Sequence, residues 1–271
     1  MSATADAAVA GASLAGQESG AWLHGVIGER DRLPEITGIE GQPVREIRAG
    51  GLTAVVSPVS LTQYGEDALR RNLEDLGWLE RTARAHHLVV DALSRTGPVV
   101  PARLATVYSD EGRVAAVLAE RSMELRAALD RVTDRAEWGV KGYLVPAGAP
   151  QAEPAGPGGA GTAYLRKRRA QLMARDEGQQ AAARDAAVVH AALSERAVAS
   201  RRHAPQDRRL SGADTAMVLN GAYLVDSARA DEFADLVEVL AGRYPAVRLQ
   251  ITGPWPPYSF AADEPRSEPD Q

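Results

Sequence analysis

The chain has 271 residues, 45% of them hydrophobic and 25% charged, enough for two ordinary domains with cores of their own. Its 31 Lys and Arg stand against 36 Asp and Glu, a net charge of -5, so the surface as a whole gives no electrostatic case for nucleic acid or an anionic membrane. There is no cysteine, which excludes disulfides, thiolate catalysis and zinc–thiolate sites together.

Residues 1–20 are small and polar, with no basic region before an apolar run, and read as a flexible tail rather than a signal peptide. A short strand is expected at Ala21–Gly28. Two more follow at Val44–Arg48 and Leu52–Ser57, joined tightly through Ala49-Gly50-Gly51 as an antiparallel hairpin. Pro58 argues against extending the second of these. From Leu69 to Leu93 the pattern turns helical, with Trp78, Thr82, Ala85, Val89 and Ala92 on one face. Gly97, Pro98 and Pro101 interrupt it, so a strand at Leu104–Tyr108 starts after the prolines. A second helix is expected over Glu111–Arg135, its stripe running from Val114 to Val132. A mixed α/β N-terminal domain over 21–136 results.

A new strand, Glu137–Val145, opens the second domain, 137–261. The Pro/Gly-rich stretch 146–161 after it reads as a flexible loop. The helical signal from Thr162 to Arg202 would span roughly 60 Å if straight, too long for one compact domain, and a break is expected at Glu177-Gly178. The end is strand–helix–strand: Ala216–Val225, Ser227–Gly242 and Ala246–Thr252. This approximates a split βαβ sandwich with one strand missing or obscured. The closing residues, 262–271, read as another flexible tail. The fold class is therefore α+β with two domains.

The search for chemistry returns little. His24, His86, His87, His190 and His203 form no HExxH or other metal-spaced cluster, so no metal site is expected. His87 and Asp91, four apart, are an ordinary surface helix pair. "GPGGAG" at 156–161 lacks the Lys-Ser/Thr of a phosphate loop, and no acid–base pair stands out, so no catalytic residue and no cofactor are expected. No stretch reaches the roughly 20 apolar residues of a membrane span. Two features remain as candidate protein-binding sites. One is the basic run Arg166, Lys167, Arg168 and Arg169, whose footprint is narrow for nucleic acid. The other is the closing segment "ITGPWPPYSF", where Trp255, Tyr258 and Phe260 stand beside Pro254, Pro256 and Pro257. Such a segment cannot continue a strand ladder, so it is either pinned across a sheet or exposed for recognition. Trp22, Trp78 and Trp138 lie inside expected elements and read as core residues.

The ordered landmarks "WLHGVIG", "GLTAVVS", "HHLVVDAL", "GPVVPARLATVY", "EWGVKGYLV", "GTAYLRKR", "LNGAYLV" and "RLQITGPWPPYSFA" make the chain resemble the GvpF/GvpL family of gas vesicle proteins from about Ala21 to Ala261. The resemblance implies a two-domain α+β protein with a ferredoxin-like C-terminal domain carrying a long helical insertion, and no catalytic residues. It implies an accessory protein, cytoplasmic during assembly and associated with the gas vesicle. Its implied partners are the major hydrophobic shell protein and other accessory proteins. A transient assembly factor that binds nascent shell protein and a minor component fixed to the wall are both compatible with it. Where the family commonly has Phe-Gly before the Thr-Val-Tyr stretch, this chain has Leu104-Ala105.

Overall fold

The computed structural model describes residues 19–29, 33–146, 160–205 and 215–261. The expected loop at 146–161 falls almost wholly outside these residues, as do 1–18 and 262–271. The chain separates into two compact units. One comprises the described residues up to Asp134 together with those from Trp255, and the other is Arg135–Pro254. The expected boundary lies at 136/137 with the second domain running to 261, so the proline-aromatic segment changes sides from Trp255 onward.

In the first unit, β1 (Ser19–Gly28), β2 (Arg45–Ala49), β3 (Leu52–Ser60), β4 (Val100–Pro101) and β5 (Val107–Tyr108) form an antiparallel sheet in the order β2-β3-β1-β4, with β5 also on β1. Gly50 and Gly51 turn the β2–β3 hairpin at φ +59° and +68°, the pair of left-handed residues that a two-residue hairpin needs. Short helices α1 (Leu61–Tyr64) and α2 (Glu66–Asn72) lead into α3 (Leu76–Ser94); α4 (Glu111–Glu120) and α5 (Ser122–Val132) follow. Helix α3 covers one face of the sheet, Val89, Val90 and Leu93 meeting Ile27, Val55 and Val99. Helices α4 and α5 cover the other, where Val114, Leu118, Leu125 and Leu129 meet Leu23, Val26, Ala54 and Val56. Strand β3 is buried along its whole length, which explains its unalternating run of apolar residues. Asp75 and Asp110 cap α3 and α4, accepting from the amides of Gly77 (2.8 Å) and Arg113 (2.8 Å).

Three expectations for this unit need correcting. Pro58 does not end β3: it pairs with Ala21, beyond the stretch that β2 covers, so its missing N–H removes no bond on the β2 side. The strand expected to start after the prolines at Leu104–Tyr108 shrinks to β5, and pairing with β1 already begins before it, at Val100–Pro101 in β4; between the two lies a turn in which Ala105 takes φ +64°. The single helix expected over Glu111–Arg135 is broken at Arg121, and the chain is already in strand at Arg135.

The second unit runs β6 (Arg135–Leu144), α6 (Ala160–Ser194), β7 (Ala199–Arg202), β8 (Met217–Asp226), α7 (Ala230–Arg243) and β9 (Val247–Trp255), which ends at the unit's edge. The sheet order is β7-β8-β6-β9. Facing residues Arg135 and Asp226 are joined by an ion pair of 2.8 Å at the end of the β6–β8 register. One face is covered by both helices: Ala186, Val189 and Leu193 of α6 and Phe233, Val237 and Leu240 of α7 pack on Val140, Leu219, Tyr223 and Val225. The Tyr223 hydroxyl lies 2.8 Å from His190 Nδ1, which satisfies the one polar atom of that buried ring. Helix α6 does not break at Gly178. The Ala, Gln, Arg and Glu around it are strong helix formers, against a cost of about 1 kcal/mol for one glycine. It stops at Ser194, and the residues expected to extend it form β7, the obscured strand.

Candidate functional site

Polar side chains collect under α3 because of a defect in β1. Leu23 faces Val56 and Gly25 faces Val55, so His24 is the extra residue of a bulge. The bulge shifts the phase of the strand. Trp22, His24 and Ile27 all reach the α3 side, while Leu23 and Val26 reach α4 and α5.

There His24 Nε2 lies 2.8 Å from Ser57 Oγ, which also accepts the Ile39 amide at 3.2 Å. The His24 ring stacks on His86 of α3 at 5.2 Å and 25°. Trp22 Nε1–H can only donate, so His86 Nδ1 accepts it (3.0 Å) and His86 carries its proton on Nε2, facing the Ala102 carbonyl at 3.2 Å. Both histidines are therefore held neutral. Burial, then the neighbouring His86, lowers His24 to about 3, and burial lowers His86 to about 4. His24 Nδ1 is buried with no hydrogen-bond partner among the described residues. Tyr64 stands edge-on to Trp22 at 5.8 Å and donates to Glu40 at 3.0 Å; burial and that carboxylate raise its phenol well above the ordinary range. The His24–Ser57 pair has the residue types of a base and a nucleophile. Both are fully buried, among the described residues no acid orients the imidazole, and Gly38 lies so close that a Cβ there would be 1.9 Å from Ser57 Oγ. No substrate carbonyl fits, so the pair works as a packing device that locks β1, β3 and α3 together.

The next side chain of α3, His87, turns outward and meets the closing segment. Its ring lies 5.7 Å from that of Trp255 and 6.1 Å from that of Tyr258, whose hydroxyl is 3.2 Å from His87 Nδ1. Trp255 remains 44% exposed and Tyr258 37%, whereas Phe260 is only 3% exposed and Pro256 and Pro257 are buried. The segment is therefore both pinned and presented: Phe260 and the prolines hold it, and two aromatic faces stay at the surface beside His87. Sequence reasoning missed His87, because only the fold brings it to residues more than 160 positions away; its expected partner Asp91 instead pairs with Arg95 at 2.9 Å. Farther along α3, Leu88 with Leu33, Ile36 and Val44 lines an open groove of about 1000 Å³ whose lining includes Glu35 and Glu46.

The basic run lies elsewhere, in the first half of α6. Arg166, Arg168 and Arg169 are exposed there, and the Lys167 side chain is outside the described residues. The run belongs to the second unit, whereas Trp255, Tyr258 and Phe260 belong to the first. Among the described residues there is no group of three or more His, Asp or Glu able to hold a metal ion, and no helix long and apolar enough to cross a membrane.

The model of a family described as "Gas vesicle synthesis protein GvpL/GvpF" matches residues 20–262. The chain belongs to the GvpL/GvpF family. Gas vesicle protein L of Streptomyces sp. (strain CB03234) is 44% identical over 234 residues, covering 84% of this chain and 87% of that protein. Gas vesicle protein F of the same strain is 30% identical over 243 residues, covering 84% and 93%. The crystal structures of GvpF from Anabaena sp. PCC7120 and from Microcystis aeruginosa each superpose with a TM-score of 0.60 at 19% identity, the first covering 91% of this chain and 97% of that one. Membership of the GvpL/GvpF family makes this a gas vesicle accessory protein, and the match spans both units and the pinned closing segment.

Proposed function

We propose that this protein binds nascent gas vesicle shell protein in the cytoplasm, limits its aggregation and assists nucleation or growth of the vesicle wall. The observation that carries this reading is the half-exposed cluster of Trp255, Tyr258 and His87, held on α3 by the buried Phe260 and prolines. Aromatic faces already fixed in place cost little further entropy on binding and suit an apolar partner. A separate groove on the same helix, where Leu88 lies with Leu33, Ile36 and Val44, offers further apolar surface. The exposed Arg166, Arg168 and Arg169, with Lys167 between them in sequence, supply a second docking patch for acidic surfaces of other vesicle proteins.

Two finer readings accompany it. The second unit is ferredoxin-like, supported by its β-α-β-β-α-β order and its sheet order β7-β8-β6-β9. The chain is an L-type member, supported by 44% identity to a protein L against 30% to a protein F from one strain.

The test is co-purification with shell protein from co-expressing cells. Combined Trp255→Ala and Tyr258→Ala substitution should reduce captured shell protein and its soluble fraction while leaving the fold intact. Unchanged capture would remove the aromatic cluster from the role. Isolated vesicles washed in urea then separate a transient factor, which is lost, from a fixed wall component, which stays.

A further inference from the structure

The first half of α6 stands at the surface of its unit. Every described side chain from Tyr164 to Glu177 is exposed, including Tyr164 (62%), Leu172 (53%) and Met173 (54%), whereas Ala182, Ala186, Val189 and Leu193 are fully buried. An isolated helical stretch of this length is marginal in water, so the exposed half requires either strong propensity or a partner.

Its apolar residues do not continue the buried stripe. At about 100° per residue, Ala182, Ala186, Val189 and Leu193 define one line, and carrying that line back reaches Arg175, Gln171 and Arg168. About a third of a turn away runs a different stripe, Arg169, Leu172, Met173 and Asp176, at the i, i+3, i+4, i+7 spacing of a packing face. Its order is base, apolar, apolar, acid. Rotated by a twofold axis perpendicular to the helix, that order becomes its own complement. In an antiparallel pair, residues whose numbers sum to 345 face each other, so Arg169 meets Asp176, Leu172 meets Met173, and both contacts occur twice. A parallel pair would instead stack base on base.

We propose that a second copy of this chain occupies this stripe, giving an antiparallel, isologous dimer through the first half of α6. The contact is only about two turns long and falls well short of the roughly 1,600 Å² of a standard interface, so the dimer is weak and concentration-dependent.

Sedimentation equilibrium of the full chain tests this. The average mass should rise with concentration toward that of a dimer and fall back as salt is added. Arg169→Asp and Asp176→Arg each set like charges across both ends of the stripe and should weaken dimerisation about tenfold. The double variant should restore it, and an equimolar mixture of the two single variants should associate more strongly than either alone. Both positions are exposed, so helical content should not change. A mass that stays monomeric at every concentration would overturn the proposal, as would single variants that dimerise like the native chain. A monomeric chain whose Leu172→Glu variant loses co-purifying shell protein would also overturn it, and would assign the stripe to that partner.

Discussion

Lowering the pH from 7 to 5 should destabilise the first unit steeply, and His24 and His86 set the size of the effect. Both are buried and neutral, with folded values near 3 and 4 against 6.5 for the free side chain. The unfolded chain therefore takes up two protons below pH 6.5 that the folded one refuses. For depressed histidines the stability is intact above pH 6.5, declines as pH falls, and stops declining only below the folded values. Each proton contributes about 1.4 kcal/mol per pH unit, so the pair gives a slope near 2.7 kcal/mol per unit between about pH 6 and 4.5. From pH 7 to 5 the loss is about 4 kcal/mol, a large share of the roughly 5–15 kcal/mol that holds a domain together. The geometry explains the refusal. A proton on His86 Nδ1 would confront the Trp22 N–H that it now accepts, 3.0 Å away, and a charge on His24 would lie against the stacked His86 ring. Urea unfolding at half-unit pH steps measures the slope. His190 in the second unit is also lowered, by burial and then Arg202, so the measurement belongs in a Trp138→Phe background. Fluorescence then comes from Trp22, Trp78 and Trp255 of the first unit. His86→Gln should halve the slope to about 1.4 kcal/mol per pH unit. Stability that is flat from pH 7 to 5, or His24 and His86 NMR signals that titrate near 6.5 in the folded protein, would refute the reasoning.

Gly38→Ala should cost about 1–3 kcal/mol in urea unfolding, because its Cβ would fall 1.9 Å from Ser57 Oγ and 2.8 Å from His24 Nε2, in a network with no slack. Ala105→Gly should act in the opposite sense. The residue sits at φ +64°, where a Cβ costs about 1–2 kcal/mol, and the added freedom of glycine in the unfolded chain returns part of that, leaving a gain of about half to 1 kcal/mol at the midpoint of thermal unfolding. Phe260→Ala should cost about 3 kcal/mol and free the closing segment to protease, whereas Trp255→Ala and Tyr258→Ala should each cost about 1 kcal/mol or less, since both rings are substantially exposed.

What the sequence disclosed depended on how local the signal was. Helix α7 was legible because Phe233, Val237 and Leu240 keep the helical period and are all buried, and β9 because Val247, Leu249 and Ile251 alternate. Strand β7 was not: four residues reading Ala-Ser-Arg-Arg carry no apolar alternation, and their pairing with β8 is fixed by tertiary contact. Glycine misled at Gly178, where one weak residue sits among strong helix formers. Proline misled at Pro58, where its cost depends on which neighbouring strand is present. The histidine network left no local trace, since His24, Ser57 and His86 lie 33 and 29 residues apart in succession and only a one-residue bulge aims the first at the others.

The closing aromatics show why residue type alone could not assign the candidate site. In sequence Trp255, Tyr258 and Phe260 are equivalent, three rings among prolines; in the fold they divide by depth, with the smallest polar content going inside. Phe260 has no polar atom to satisfy and can be buried outright, while the Tyr258 hydroxyl needs His87 and so stays at the rim. Pinning and presentation are then one arrangement. The deeper Phe260 is held, the less entropy Trp255 and Tyr258 have left to lose when a partner covers them, so Phe260→Ala should weaken shell-protein capture without removing any surface that the partner touches. Capture that survives Phe260→Ala in a chain whose segment has become protease-sensitive would show that the aromatic faces need no scaffold to bind.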